Sequence, residues 1–226
     1  MKKILVSALL LSVLPFVGCN KAEVIPAPDK KADLKIHFQG VINGSDVEWT
    51  KNVDGYAVDA RKWITTYNDP SSGMQMNRLA YVCGMVSSTK FSSISIALGS
   101  LQQDATLGTS PNLDTFHSFM DAFLAPYAPP STTIAPPYSD SAIMGFEVRY
   151  VDEDKRLFRS DETVPGTVSF TNYVDKEDNA GEYRQFEVSF SCQVKHWGKT
   201  VLLPETDSVL STAYIQNAVL TGYFKR

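Results

Sequence analysis

The residues with the widest chemical scope in this chain are its three histidines, His37, His117 and His196, together with its acidic and hydroxyl side chains. The histidines fall in a strand pattern, a helix pattern and a turn, with no paired spacing between them. No H-E-x-x-H, Cys-x-x-Cys or two-His-one-carboxylate arrangement occurs, so the signals for catalytic zinc and non-haem iron are missing. A G-x-S-x-G nucleophile elbow and a Gly-rich phosphate loop are missing as well. A serine triad assembled only in space would leave no such signature. On these grounds no catalytic residue, metal ligand or cofactor is expected.

Two acidic clusters need weighing. Asp175-Lys176-Glu177-Asp178-Asn179 offers oxygen ligands at alternate positions, as a calcium loop does. The match fails at position six, Ala180 in place of Gly, and at position twelve, Phe186 in place of Glu. Asp152-Glu153-Asp154 lies in a second turn, and both clusters read as solvated hairpin loops. A glycosidase needs two carboxylates flanking a cleft; among 25 acids no pair stands out. Trp197, beside Gly198 in an expected turn, is the sharpest candidate for ligand contact. An exposed indole stacks on a sugar or anchors a protein partner, whereas one folded back over a sheet edge does neither. Trp49 and Trp63 lie in strand patterns and are assigned to the core. Cys83 and Cys192 form a candidate disulfide if the chain is exported. Their apolar strand settings also suit buried free thiols.

The first twenty residues decide the compartment. Lys2 and Lys3 are followed by an apolar run over residues 4–17 and by Gly18 immediately before Cys19. This is the layout of a secretory leader. A membrane span needs about 20 apolar residues, and here there are fourteen, interrupted by Ser7, Ser12 and Pro15. Phe16-Val17-Gly18-Cys19 resembles a bacterial lipobox, although Phe16 stands where Leu is usual. The resemblance implies that residues 1–18 are a lipoprotein signal peptide and that the Cys19 thiol carries two or three acyl chains. Each buried methylene contributes about 0.8 kcal/mol, so more than one chain gives stable anchoring to a membrane. Residues 20–33, with two prolines and no periodicity, extend Cys19 into a solvated tether.

Without residues 1–18 the chain keeps 19 basic against 25 acidic side chains, a formal charge of −6. That balance argues against nucleic acid and against anionic headgroups as partners.

From residue 34 the texture is one of short runs with period two, the mark of half-buried strands. Runs around 34–38 and 47–49 flank Asn43-Gly44, which predicts a hairpin. Further strands are expected over 56–67, with Trp63 and Ile64 as its core candidates, and over 79–86, 91–98, 146–150, 168–173, 183–194, 201–203 and 215–224. In 183–194, Phe186, Val188, Phe190, Cys192 and Val194 share one face and polar residues share the other. One helix is expected over 111–124, capped by Ser110, opened by Pro111 and burying Leu113, Phe116, Met120, Phe123 and Leu124. Residues 125–137 contain five prolines and make a stiff connection. The expected fold is all-β: an antiparallel β-sandwich over 34–226 with one amphipathic helix and a Pro-rich connection between halves 34–110 and 142–226.

Residues Gly145-Phe146-Glu147-Val148-Arg149-Tyr150-Val151-Asp152, Phe158-Arg159-Ser160, Phe186-Glu187-Val188-Ser189-Phe190-Ser191-Cys192 and Leu220-Thr221-Gly222-Tyr223-Phe224 resemble the small β-sandwich lipoproteins of Bacteroidota. His196-Trp197-Gly198 departs from the usual Asn-Gly or Asp-Gly turn. The resemblance implies an outer-membrane lipoprotein, periplasmic or surface-exposed, and transfers no catalytic residue. The leading expectation is a non-enzymatic, lipid-anchored binding or accessory module for a glycan or a protein. The alternatives are an exported hydrolase, of glycans for example, with unassigned carboxylates, and a structural or assembly subunit with a long uncovered edge strand.

Overall fold

Alternation governs this chain: from Phe186 to Val194 each apolar side chain is buried, while the residues between them face outward or lie half-buried. The same rule, repeated, produces ten strands among the described residues. The computed structural model describes residues 31–122, 146–160, 166–199 and 207–226. The signal peptide, Cys19, most of the tether, the Pro-rich stretch and the 201–203 run lie outside the described residues.

The strands are β1 (His37–Ile42), β2 (Ser45–Thr50), β3 (Tyr56–Asn68), β4 (Gln75–Ser87), β5 (Ser93–Asp104), β6 (Phe146–Val151), β7 (Leu157–Ser160), β8 (Thr167–Asp178), β9 (Gly181–Lys199) and β10 (Asp207–Lys225). Helix α1 (Leu113–Asp121) falls between β5 and β6. All pairings are antiparallel. They make one continuous sheet in the order β2-β1-β10-β9-β7-β6-β5-β4-β3, with β8 on the remaining length of β9. The Asn43-Gly44 hairpin is present, both residues at positive φ (52° and 81°) as a two-residue β-turn of this type requires.

The observed architecture is therefore an all-β domain with one helix, built on a single curled antiparallel sheet. The curl lays β10 over β3 and β4. At the contact the Tyr223 amide donates to Cys83 Sγ at 3.3 Å, and a Cβ on Gly222 would sit 2.5 Å from that sulfur. Inside the curl are Phe38, Trp49, Tyr81, Phe146, Phe186, Phe190 and Phe224. Residues 31–226 group as one unit, and β5 pairs with β6, so stretches on either side of the Pro-rich connection share one sheet.

Several expectations are corrected. The helix starts at Leu113 because Asn112 Oδ1 accepts the Thr115 amide at 2.8 Å, making Asn112 the cap in place of Ser110. Its buried face among the described residues is Phe116, Phe119 and Met120, while Leu113 is exposed; Phe123 and Leu124 lie outside the described residues. Phe116 and Phe119 both pack on Tyr81, with ring centroids 5.5 and 5.6 Å away. Ile64 is 45% exposed, since β3 ends the sheet and pairs only with β4 among the described strands. Trp49 is core, stacked on Tyr56 at 4.7 Å. Trp63 is half-buried on the opposite face. Residues 196–199 continue β9 instead of turning. Cys83 and Cys192 are free and buried, so the candidate disulfide is not formed.

Candidate functional site

Period two gives each strand of the sheet a second face. On β6, Phe146 and Val148 enter the core, which turns Glu147, Arg149 and Val151 to the other side. Register then aligns neighbours. Arg149 stands opposite Arg159 on β7, and Arg159 opposite Lys195 on β9. One step along, Val86, Ser93, Val151 and Leu157 are successive cross-strand partners. Two residues on from the Arg159–Lys195 pair, along antiparallel strands, lie Leu157 and Trp197. His196, next to Trp197, hydrogen-bonds through Nδ1 to the Leu157 carbonyl at 2.9 Å. The outer face thus carries a cationic row beside an apolar row. In the apolar row Val86 is 40%, Leu157 37% and Trp197 46% exposed.

The cationic row has a buried anion beneath it. Glu147 is 1% exposed, and its Oε1 lies 2.5 Å from Arg149 Nε and 4.0 Å from Arg159 Nε. Its Oε2 has no hydrogen-bond partner among the described residues. The Arg149 guanidinium stacks on Trp63, 3.9 Å from the ring centroid. That stacking accounts for Trp63: its indole is half-covered by a cation, not by the core.

The other residues singled out in the sequence have separate fates. His37 Nε2 pairs with Glu48 at 3.0 Å and His117 Nε2 lies 3.4 Å from Asp175. Asp175 to Asp178 continue strand β8, and Asp175 ion-pairs with Arg184 at 2.7 Å, as does Asp121 at 2.6 Å. Asp152 and Asp154 both hold Arg156, at 2.7 and 3.1 Å. Those two acids line a cavity of about 420 Å³ with Tyr150, Glu153 and Phe158. Among the described residues, no three His, Cys, Asp or Glu side chains gather closely enough to hold a metal ion.

Among the described residues, the three carboxylates with a shifted titration all move downward. Asp69 is held below the ordinary carboxylate range by the Ser72 hydroxyl, then the Ser71 amide and hydroxyl. Hydrogen bonds from the Thr106 hydroxyl and amide do the same for Asp104. Burial alone would raise Asp178, but amides of Ala180 and Ala32 and the Tyr183 hydroxyl bring it down. A general acid at neutral pH requires the opposite shift. Burial pushes the thiols of Cys83 and Cys192 up to about 12, which makes them inert.

The cation row was not legible as a site in the sequence. Glu147 and Arg149 show there only as the wet positions of a strand, and nothing marks Arg159 and Lys195 as their neighbours until the register is known. Comparison with known proteins leaves the face to be read on its own chemistry: no family model, no curated protein and no solved structure matches this chain.

Proposed function

We propose that this chain is a non-enzymatic, lipid-anchored binding or accessory module of the cell envelope, tethered to the outer membrane through Cys19, with a glycan or protein partner on the outer face of its sheet. The observation that carries the reading is the open sheet surface around Trp197, where an indole and an adjoining aliphatic row stay exposed beside cations. Exposed rings on a flat surface are contact groups for sugars and proteins. The leader and the lipobox-like Cys19 support the address, and the texture shared with Bacteroidota β-sandwich lipoproteins supports the same compartment. A two-layered sandwich is the finer fold we propose, since folding one sheet until β10 covers β3 and β4 gives two packed layers.

Against a hydrolase, Asp152 and Asp154 are both engaged by Arg156 in place of facing each other across an open cleft. An assembly subunit is the second reading, favoured by one feature: β3 has thirteen residues and pairs only with β4 among the described strands. It predicts concentration-dependent association that a proline at mid-β3 abolishes.

The test has two parts. Cys19→Ser should shift the protein from the membrane to the soluble fraction and end incorporation of labelled fatty acid. Trp197→Ala should abolish retention on a glycan array or a partner column with the melting temperature nearly unchanged. Recovery of unaltered protein in the soluble fraction, its Cys19 unmodified, would overturn the anchor.

A further inference from the structure

Two rows of side chains cross the outer face of β8, β9, β10, β1 and β2. Register makes Ser169, Ser189, Val219, Gln39 and Glu48 successive cross-strand partners. The second row pairs Thr167 with Ser191 and Val41 with Asp46, and between them stands Asn217, whose backbone amide donates to Ser191 Oγ at 2.9 Å. A trough runs between the rows in two parts. One, of about 380 Å³, lies over Val168, Phe190 and Ala218. The other, of about 460 Å³, lies over Gly40 and Val47, and Asn217 lines both.

This shape is not what plain alternation produces. Both β1 and β10 break register at this level, between Gln39 and Val41 and between Ile215 and Ala218. Asn217 stands in the β10 bulge at a left-handed φ of 49°. Gly40 leaves the floor bare, and a Cβ there would sit 2.9 Å from Ala218 Cα. Bulges and left-handed non-glycine residues re-aim side chains and gather at functional surfaces. Asn217 and Gln39 are exposed, as are Ser169, Ser189, Asp46 and Glu48.

We infer that this trough binds a neutral linear glycan laid across the strands from β8 to β2. The inference rests on the binding-module reading and gives it a ligand class and a second contact surface, about 20 Å along β9 from Trp197 at about 3.4 Å per residue. Hydroxyl, amide and carboxylate groups on the rims exchange hydrogen bonds with sugar hydroxyls. Among the described residues no Lys or Arg lines either part, and a nucleic acid needs cations. An acidic polymer would meet Asp46 and Glu48, of which Glu48 is answered by His37 at 3.0 Å. A protein partner anchors through aromatic and arginine side chains in pockets, whereas this trough is shallow and rimmed by short polar groups. Four strand spacings of about 4.8 Å give it the reach of a short oligosaccharide.

The experiment uses the full-length lipidated protein in detergent micelles, with immobilised xyloglucan, galactomannan, amylopectin and dextran as probes and polygalacturonate as the acidic arm. Retention by at least one neutral polymer is expected, with little dependence on salt. Asn217→Gly, where glycine accepts the left-handed backbone, combined with Gln39→Ala should weaken it at least tenfold at unchanged melting temperature. Failure of all four neutral polymers overturns the inference, as does equal retention on polygalacturonate or full retention of the double variant. If Asn217→Gly lowers the melting temperature, Gln39→Ala alone decides, and unchanged retention overturns the inference. A glycan lost in Trp197→Ala but held by the double variant removes the trough and leaves the binding module standing. A glycan lost in the double variant but held by Trp197→Ala upholds the trough and removes the contact assigned to Trp197.

Discussion

Glu147 sets charge on the outer face from a buried position, almost out of reach of solvent. Removing the carboxylate takes a charged hydrogen bond from the part-exposed Arg149 guanidinium, which costs about 1.5 kcal/mol. Glu147→Ala should therefore lower the urea midpoint by an amount equivalent to that loss, because Arg149 and Arg159 would then repel each other across the β6–β7 ladder. A midpoint shift of only a few tenths of a kcal/mol in equivalent stability would show that the carboxylate is dispensable. Cys83 and Cys192 give a second residue-scale result. Both thiols rise from 9.0 to about 12 through burial, so the folded state keeps them neutral while the unfolded chain ionises first. Their contribution is complete below pH 9.0 and is lost progressively as pH climbs towards about 12. Denaturation midpoints should fall over that interval, and an alanine pair at the two positions should flatten the fall. Alkylation of Cys83 and Cys192 should need unfolding first.

At the scale of elements, α1 is joined to the sheet by two kinds of contact. Phe116 and Phe119 pack on Tyr81 of β4, and Arg184 of β9, 7% exposed as a side chain, reaches Asp121 at the end of the helix. The same guanidinium takes Asp175 of β8 and lies over the Tyr173 ring at 5.4 Å. One planar fork thus connects the helix and two strands, which a single ammonium does not reproduce. Arg184→Ala should cost about 2 kcal/mol, in line with loss of charged hydrogen bonds, and Arg184→Lys should recover only part of it. Hydrogen exchange would localise the change: amides of α1 should lose protection before those of β4 and β5. Uniform loss of protection across the sheet would contradict this account of the helix contact.

The whole molecule turns on how closely one sheet approaches itself. Where β10 passes over β4, Gly222 leaves room for Cys83 Sγ, and an added Cβ would lie 2.5 Å from the sulfur and 3.2 Å from the Phe186 ring. Overpacking of this kind costs typically 1–3 kcal/mol. Gly222→Ala should depress the melting temperature, and Cys83→Ala in the same chain should restore part of the loss, a coupling that a double-mutant cycle measures. Additive effects would mean that β10 and β4 are free to move apart at this point.

Sequence alone determined what depends on neighbours along the chain. Period-two alternation identifies the strands and the dry face of β9, Asn43-Gly44 makes a hairpin because both positions accept positive φ, and the amphipathic spacing of Phe116 and Met120 marks the helix. The resemblance of residues 1–19 to a lipoprotein leader is likewise a reading of a local pattern. Tertiary structure decided what depends on register and strand order: that β10 lies between β1 and β9, that Ile64 falls on the edge strand β3, and that Trp63 lies under Arg149 instead of in the core. Arg149, Arg159 and Lys195 come from three strands far apart in the chain, and their side-by-side placement follows from hydrogen-bond register, which alternation alone leaves open because every slip by two residues keeps the same face inward.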